Sequence, residues 1–379
     1  MADFKEPTVF TGQLRPNHIY ASLFNMLIGQ RVFSDNIADT QSELVNLSKR
    51  DGTLYGDTME YVATDILGSY PLINPETGII DNNVLERKYP TKPDLQSVSI
   101  DNYRQIALTV DNYLSKQAWM TENAFGSFMS VMEGWIGETK RVYEAKLFNT
   151  FVGTQDSSVG KQSVTITLPT NEDPEKENRL QAQAIATRLA DLYVDLADAS
   201  RFYNDNSNYR GFSKEDMVVV WNADYVNKIL KTDLPTIYHK DALFDSFKYK
   251  LPSHYFGKRN ASGGTTGAAN ATIYSLVEKD FNGDKSPQDE DYVKSLHIFP
   301  GDLWPSNTAY GPNETYTVDD TIVFKMYHKN SIPFMSAFEV ATSFFNAKSL
   351  QENRYLTWGY SELTYLTNYP FITAKAVEG

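Results

Sequence analysis

The sequence predicts an α+β fold, because one unusually long helical stretch stands between segments in which apolar residues alternate as they do in β-strands. The helix is predicted from Glu122 to Gly153, where apolar residues recur at spacings of three and four. Strand-like segments precede it in residues 51–113 and follow it in residues 316–379. The rest of the chain is interpreted around this helix.

The predicted helix has a continuous apolar side and plausible signals at both ends. At ~1.5 Å per residue it would be ~45 Å long. Either Thr121 or Asn123 is expected to cap its start, and Gly153 offers a left-handed end. The apolar side consists of Phe125, Phe128, Met129, Met132, Trp135, Ile136, Val142, Tyr143, Leu147, Phe148 and Phe151.

Glycines within the helix indicate that packing, rather than intrinsic propensity, must hold it. Gly126, Gly134 and Gly137 each cost roughly 1 kcal/mol of helix stability relative to Ala. We therefore expect Trp135 and Ile136 to be buried against the final strands of the chain. The glycines would either let the helix bend or admit a closely packed neighbour, and an ordinary core helix of a large domain is the plain alternative.

Composition excludes several classes of function. The 379 residues include 24 Tyr, 21 Phe and 5 Trp, and the hydrophobic content of 41% is that of a globular chain. A net charge of -13 is poorly suited to wrapping nucleic acid. The absence of Cys excludes disulfides, thiolate catalysis and cysteine-based zinc sites. We expect neither a signal peptide nor a membrane span, since no suitable apolar run is found.

The segment before the helix divides into an arm and an excursion. Residues 1–50 are predicted to be an arm, with a short amphipathic helix at Ile19–Ile28. Residues 51–113, which we call the excursion, are predicted to be two long strands, Thr58–Ile66 and Val98–Val110, joined by a tip rich in Pro, Gly and Asn. Because an isolated hairpin is marginally stable, the excursion should lie on another domain or another subunit.

The segment after the helix predicts a core of helices and strands, followed by a loop-rich region and further strands. A buried strand between two helices, with Asn222 capping the second, is typical of an α/β-type unit. Residues 251–315 are rich in turn residues. The predicted elements are a strand at Lys161–Leu168, a charged linker at Asn171–Asn178, a helix at Leu180–Tyr203, a strand at Met217–Trp221, a helix at Ala223–Leu230, and strands at Thr321–Tyr327, Phe338–Phe345 and Leu356–Tyr369.

No motif in the sequence predicts catalysis. The five His, at positions 18, 239, 254, 297 and 328, have neither metal-ligand spacing nor a catalytic context. The stretch around Ser361 lacks the second Gly of a nucleophile elbow. We therefore assign no catalytic, cofactor-binding or metal residues, expect no cofactor, and predict that the protein is not an enzyme.

One acidic stretch resembles a twelve-residue calcium loop. Oxygen-bearing side chains occupy its first, third, fifth, seventh, ninth and twelfth positions. Lys285 stands where the loop usually has Gly, Pro287 replaces an apolar residue, and no clear pair of helices flanks the stretch. Calcium binding and a solvated acidic loop both remain open. The six residues are Asp280, Asn282, Asp284, Ser286, Gln288 and Asp291.

The order of these parts resembles the Hong Kong 97-like fold of tailed-bacteriophage major capsid proteins. In that fold an arm and an extended β loop precede a spine helix, and an axial helix–strand–helix unit precedes a return to the peripheral domain. Leu180–Tyr203, Met217–Trp221 and Ala223–Leu230 look like the axial unit, and Tyr360–Ala376 looks like the final peripheral strand. The implied domains are an arm at 1–50, an extended β loop at 51–113, a peripheral domain at 114–177 with the spine helix at 122–153, an axial domain at 178–335 and a peripheral return at 336–379.

The resemblance implies a protein that assembles with itself. It implies hexamers and pentamers in an icosahedral shell around double-stranded DNA, with scaffolding, portal and head-decoration proteins as partners. It implies no specific nucleic-acid binding and no membrane association, and a place in the virion capsid after synthesis and assembly in the host cytoplasm. Some members crosslink through a Lys and an Asn, but neither can be placed here. A nanocompartment shell of the same fold, and a soluble carbohydrate-binding module or enzyme, are the alternatives.

Overall fold

A computed structural model shows an α+β chain, which confirms the predicted class. Residues 1–42 of the N-terminal arm, with its expected helix at Ile19–Ile28, lie outside the described residues, as does most of the tip of the excursion. The described residues are 43–52, 57–69, 92–111, 122–230, 248–259, 315–348, 351–361 and 363–379, with short pieces at 73, 76–78, 87, 89–90, 273–275, 279–280 and 294–295.

The described elements follow one another along the chain in this order. The helices are α1 (Glu43–Ser48), α2 (Glu122–Thr154), α3 (Pro174–Ala197) and α4 (Ala223–Leu230). The strands are β1 (Lys49–Gly52), β2 (Thr58–Ala63), β3 (Asp94–Asp111), β4 (Ser163–Leu168), β5 (Met217–Asn222), β6 (Tyr249–Leu251), β7 (Gly257–Arg259), β8 (Ile273–Ser275), β9 (Lys279–Asp280), β10 (Lys294–Ser295), β11 (Thr315–Val318), β12 (Ile322–His328), β13 (Phe334–Asn346), β14 (Gln351–Ser361) and β15 (Phe371–Glu378).

The excursion is part of a five-stranded sheet, the long-strand sheet, with the order β1-β13-β14-β3-β2. Its return strand β3 has 18 residues, which span ~60 Å at ~3.3 Å per residue. One end of β3 pairs with β2, from Asp94 to Ser99, and the other end pairs with β14, from Ile100 to Asp111. The two predicted strands are confirmed. Of the two kinds of neighbour expected for the excursion, the structure shows one within the chain, strand β14.

A second five-stranded sheet, the short-strand sheet, has the order β4-β15-β12-β5-β6. Strands β5 and β12 are buried along their whole length, which explains why Met217–Trp221 is a continuous apolar run. The last strand, β15, pairs with β12 and β4 in this sheet. The final strand therefore lies in the same sheet as Met217–Trp221, the predicted axial strand, and its assignment to a peripheral domain stays a prediction. The division of the chain into five domains stays a prediction.

The second predicted helix is displaced in the structure. We expected Leu180–Tyr203, but α3 begins at Pro174, where the side chain of Asp173 accepts a hydrogen bond from the Glu175 amide at 3.1 Å. An Asp cap followed by Pro is a strong start signal, and the interpretation of Asn171–Asn178 as a linker missed it. The expected cap of α4 is confirmed, since Asn222 Oδ1 accepts from the amide of Asp224 at 3.2 Å.

The long helix α2 extends from Glu122 to Thr154, close to its predicted bounds. Its C-terminal half is deeply buried, with Phe148 and Val152 inaccessible to solvent. Trp135, in contrast, is 45% exposed, so the prediction that it is buried is wrong. Ile136 is partly buried and packs on the same cluster as Tyr143. Trp135 lies one residue earlier, and thus ~100° around the helix from that buried stripe. Among the described residues, no helix is long and apolar enough to cross a bilayer.

The glycines of α2 are in two different environments. A Cβ placed on Gly134 or Gly137 would have no heavy atom within 4 Å, so close packing against these two is not found among the described residues. A Cβ on Gly153 would lie 2.1 Å from the backbone oxygen of Tyr255. Gly153 is a helical residue rather than a left-handed end, and the helix approaches the turn Ser253–Tyr255 closely at this point.

We expect Gly153→Ala and Gly134→Ala to have opposite effects on stability. The first forces a methyl group against a backbone carbonyl and should cost about 1–3 kcal/mol, the usual range for overpacking. The second adds helix propensity in open space and should contribute up to about 1 kcal/mol. Thermal unfolding of the two variants beside the wild type measures both effects. Equal midpoints for the two variants would contradict the packing described for Gly153.

Candidate assembly surface

The excursion carries a row of exposed apolar side chains. Val62 is 60% exposed and stands directly opposite Leu95, which is 66% exposed, in the pairing of β2 with β3. Leu67, two residues beyond Asp65, is 73% exposed. Exposed apolar side chains gathered in one segment, with Val62 beside Leu95 and Ile66 beside Leu67, are typical of a contact with another molecule. Among the residues of the excursion that the structure describes, the exposed large apolar side chains are Met59, Val62, Ile66, Leu67, Ile73, Tyr89, Leu95 and Tyr103.

The base of the excursion, which comprises β2, β3 and the residues up to Asp65, is bound by its own chain. Val98 and Ile100 are buried in a small cluster with Met335 and Leu366. Gln96 adds two polar contacts to the segment that precedes β15. Its amide nitrogen donates to the carbonyl of Tyr365 at 2.9 Å, and its amide oxygen accepts from the backbone of Thr367 at 3.0 Å.

A second attachment of the base is an acidic side chain held by the turn after α3. Asp65 accepts a hydrogen bond from the Arg201 guanidinium at 2.6 Å and one from the Tyr209 amide at 2.9 Å. The amide of Ile66 donates to the same carboxylate at 2.9 Å. The Tyr209 amide and the Arg201 guanidinium together hold the pKa of Asp65 below its usual value. The Asp65 carboxylate is therefore ionised at neutral pH and accepts hydrogen bonds from both Arg201 and Tyr209.

A cavity of about 240 Å³ lies beside this base, and its lining does not have the character of an active site. Among the described lining residues the titratable groups are Tyr61, Asp94 and Tyr369, with no His, Lys or Ser. Burial raises the pKa of Tyr61, which keeps its hydroxyl protonated. A nucleophile activated by a neighbouring base is not present among these side chains.

The histidines that the structure describes have structural environments. His328 stacks on Tyr369 with ring centroids 4.6 Å apart, and its Nδ1 accepts from the amide of Asn330 at 3.1 Å. Burial lowers the pKa of both His254 and His328, so both are neutral at physiological pH. In the described part of the chain, no cluster of three His, Asp or Glu could hold a metal ion.

The acidic stretch that resembles a calcium loop is described only at its start. Asp280 lies in β9, which pairs antiparallel with β10 at Lys294. Asn282, Asp284, Ser286, Gln288 and Asp291 lie outside the described residues. Calcium binding by this stretch stays an open hypothesis.

Comparison with known proteins links this architecture to phage heads. The sequence matches no protein-family model, and no curated protein matches it. A chain in the capsid structure of Staphylococcus phage Andhra superimposes with a TM-score of 0.62, covering 92% of this chain and 87% of that one at 11% identity. A chain in a structure of the head fiber and inner core protein gp22 of native bacteriophage P68 gives a TM-score of 0.61, covering 91% and 87% at 14% identity.

The chain has the fold of a phage capsid protein. At the level of overall architecture this confirms the Hong Kong 97-like fold that the order of elements predicted. At identities this low the comparison concerns the fold, so the exposed apolar row and the polar attachments of the excursion are argued from this chain alone.

A fully buried lysine lies in the short-strand sheet of this capsid fold. Lys325 Nζ donates to the carbonyl of Gln155 at 2.7 Å and to Thr373 Oγ1 at 2.8 Å. Burial away from water disfavours the charged form and lowers the pKa of Lys325 to about 8, although the charge of Asp156 acts in the opposite direction. The lysine joins β12 and β15 to the residues just after the long helix.

We expect Lys325 to make the free energy of unfolding of the protein depend on pH in a distinctive way. The unfolded chain has the ordinary lysine pKa of 10.5 and binds more protons than the folded chain between pH 8 and 10.5. Folding therefore becomes more favourable as pH rises through this window, by about 2 kcal/mol between pH 7 and 10.

Chemical unfolding at pH 7, 8, 9 and 10 measures this effect as the difference between the wild type and Lys325→Met. The free energy of unfolding of Lys325→Met should lack this increase between pH 7 and 10, whatever its value at pH 7. Lys176→Met on the exposed side of α3 is the matched control, because that ammonium is in water in both states. An unchanged pH dependence in Lys325→Met would contradict the expectation.

Proposed function

We propose that the chain is the major capsid protein of a tailed bacteriophage, which assembles with itself as hexamers and pentamers into the icosahedral shell around the double-stranded DNA genome. The observation that carries the proposal is the likeness of nearly the whole chain to chains in phage capsid structures. The likeness covers 92% and 91% of the chain in the two comparisons, rather than one local motif.

The surface of the subunit supports assembly with further copies. The apolar row on the excursion extends from a base that its own chain holds firmly, so it is presented to other molecules. In such an assembly, one surface of each subunit binds a different surface of the next subunit. The subunits then close into a ring if the rotation between neighbours permits closure. A shell built from such rings needs an apolar contact of this kind on every subunit.

Charge is consistent with a container for DNA. With a net charge of -13, the subunit would not bind packaged DNA along its length, since nonspecific DNA binding requires clustered positive charge. We place the protein in the virion capsid after synthesis in the host cytoplasm, with scaffolding, portal and head-decoration proteins as partners. We assign it no catalytic role, no cofactor and no membrane association.

Electron microscopy of the purified chain tests the proposal, with gel filtration as a first measurement. A capsid protein should give closed shells or very large assemblies, whereas a soluble enzyme or carbohydrate-binding module gives a small defined oligomer. A nanocompartment shell would also form closed particles, and a cargo protein bound inside them would identify it. A small oligomer under all assembly conditions would contradict the proposal.

Deletion of Leu72–Pro93 should separate folding from assembly. The deletion removes the tip of the excursion but spares Asp65 and Gln96, which hold its base. We expect a folded, soluble subunit that no longer forms shells, because the apolar contacts of the tip are made between subunits. Circular dichroism and particle counts by electron microscopy measure the two properties. An unfolded monomer would mean that the tip belongs to the core.

A further inference from the structure

The turn after α3, residues 201–210, is built as a rigid element. Both ends of the Asn204 side-chain amide bind Asn208: Nδ2 donates to the Asn208 carbonyl at 2.7 Å, and Oδ1 accepts from the Asn208 amide at 2.8 Å. Both residues are buried. Ser207 has a φ of 56°, which costs free energy in a residue other than Gly and persists only where the surroundings impose it.

The turn is anchored to the short-strand sheet through Asp205. Its carboxylate accepts from Ser157 Oγ at 2.8 Å and from Gln162 Nε2 at 2.6 Å. Tyr365 donates to the same carboxylate, and the amide of Asp205 donates to the carbonyl of Thr367 at 2.8 Å. The turn therefore moves together with the residues around the start of β4 and the segment before β15.

This anchored turn forms hydrogen bonds with both strands of the excursion, at the end where the tip begins. Beyond the Asp65 contacts, Arg210 donates to the carbonyl of Thr64 at 2.8 Å, which holds the end of β2. Asn208 Nδ2 lies 3.3 Å from Asp94 Oδ2, which holds the start of β3. Arg201 also donates to the carbonyl of Ser207 at 2.8 Å, so its guanidinium is fixed before it meets Asp65.

The contacts are directional and lie where the tip of the excursion begins, next to the last pair of β2 with β3, Ala63 with Asp94. Asp65 is followed at once by Ile66 and Leu67, two of the exposed apolar side chains. The pairing of β3 with β14 covers Ile100–Asp111 and leaves the six residue pairs of β2 with β3 as a two-stranded ribbon, which could twist and bend without a further attachment. A second attachment on the other strand fixes the direction of that ribbon relative to the short-strand sheet.

We propose that this excursion clamp, formed by Asp65, Arg201, Tyr209 and Arg210, sets the angle at which the tip of the excursion leaves the subunit and thereby selects the curvature of the assembled shell. The inference rests on the proposed function, since it names the residues that regulate self-assembly. The four are positioning residues: they fix where the apolar row points, and the apolar row makes the contact.

Asp65→Asn tests the clamp with the smallest change in shape. The amide oxygen can still accept from Tyr209, but the side chain loses the charge that faces Arg201. Hydrogen exchange of the amides in residues 58–66 should accelerate about three- to tenfold, since a charge-assisted pair near the surface is partly screened by water. Arg201→Lys keeps a cation but lacks the fork of the guanidinium, and it should act in the same direction.

Glu60→Gln is the matched control, because it removes a carboxylate from the exposed side of the same strand β2. It should leave exchange and particles as in the wild type. The clamp variants should keep the thermal midpoint of the wild type but give mixed particle diameters and open sheets by electron microscopy, in place of one size class.

Several results would overturn the inference. One is wild-type exchange in Asp65→Asn, which would mean that the clamp does not hold the excursion. Another is faster exchange with particles of unchanged diameter, which would mean that the clamp does not set curvature. If the wild type itself forms no particles, the proposed function fails, and a curvature role for the clamp fails with it. A change in Glu60→Gln equal to that in Asp65→Asn would assign the effect to net charge.

Discussion

Burial of the C-terminal half of the long helix between the two sheets is the contact on which the rest of the structure depends. Phe148 packs edge-on against Phe334 of the long-strand sheet, with centroids 6.4 Å apart, and the same cluster includes Val218 of the short-strand sheet. A fully buried Phe contributes about 1.5–3 kcal/mol, and several such side chains meet here. Each sheet has one face on this helix, so the helix holds the two sheets against each other. Polar contacts such as that of Lys140 with Glu339, at 2.5 Å, then fix the helix against β13.

Local signals in the sequence predicted the elements well, and their failures have physical causes. The period of α2, the apolar run of β5 and the cap at Asn222 depend on neighbours within a few residues, and all three were found. The start of α3 was available in Asp173 and Pro174 but was overlooked. The exposure of Trp135 could not be predicted, because helical periodicity defines an apolar side and not how far along the helix a partner covers it.

Contacts between distant segments were beyond sequence reasoning from a single chain. Ile100 pairs with Ser361 and Thr373 pairs with Ser163, and no local pattern distinguishes these pairings from others. The sequence therefore predicted only one of the two components of the candidate assembly surface. The excursion was recognised from its strands and breakers, but its apolar row requires the β2–β3 register. The clamp requires Asp65 to meet Arg201 from a segment more than a hundred residues away.

Apolar and polar contacts have different tasks in this subunit. The apolar side chains of the core hold the helix and sheets together with an energy that depends on area and little on direction. The base of the excursion is held largely by hydrogen bonds and an ion pair, whose energy depends strongly on geometry. Polar attachment leaves Val62, Leu67 and Leu95 uncovered, so their burial remains available for contacts between copies. Under the proposed function, a subunit that attached its excursion through these side chains would be more stable alone and less able to assemble.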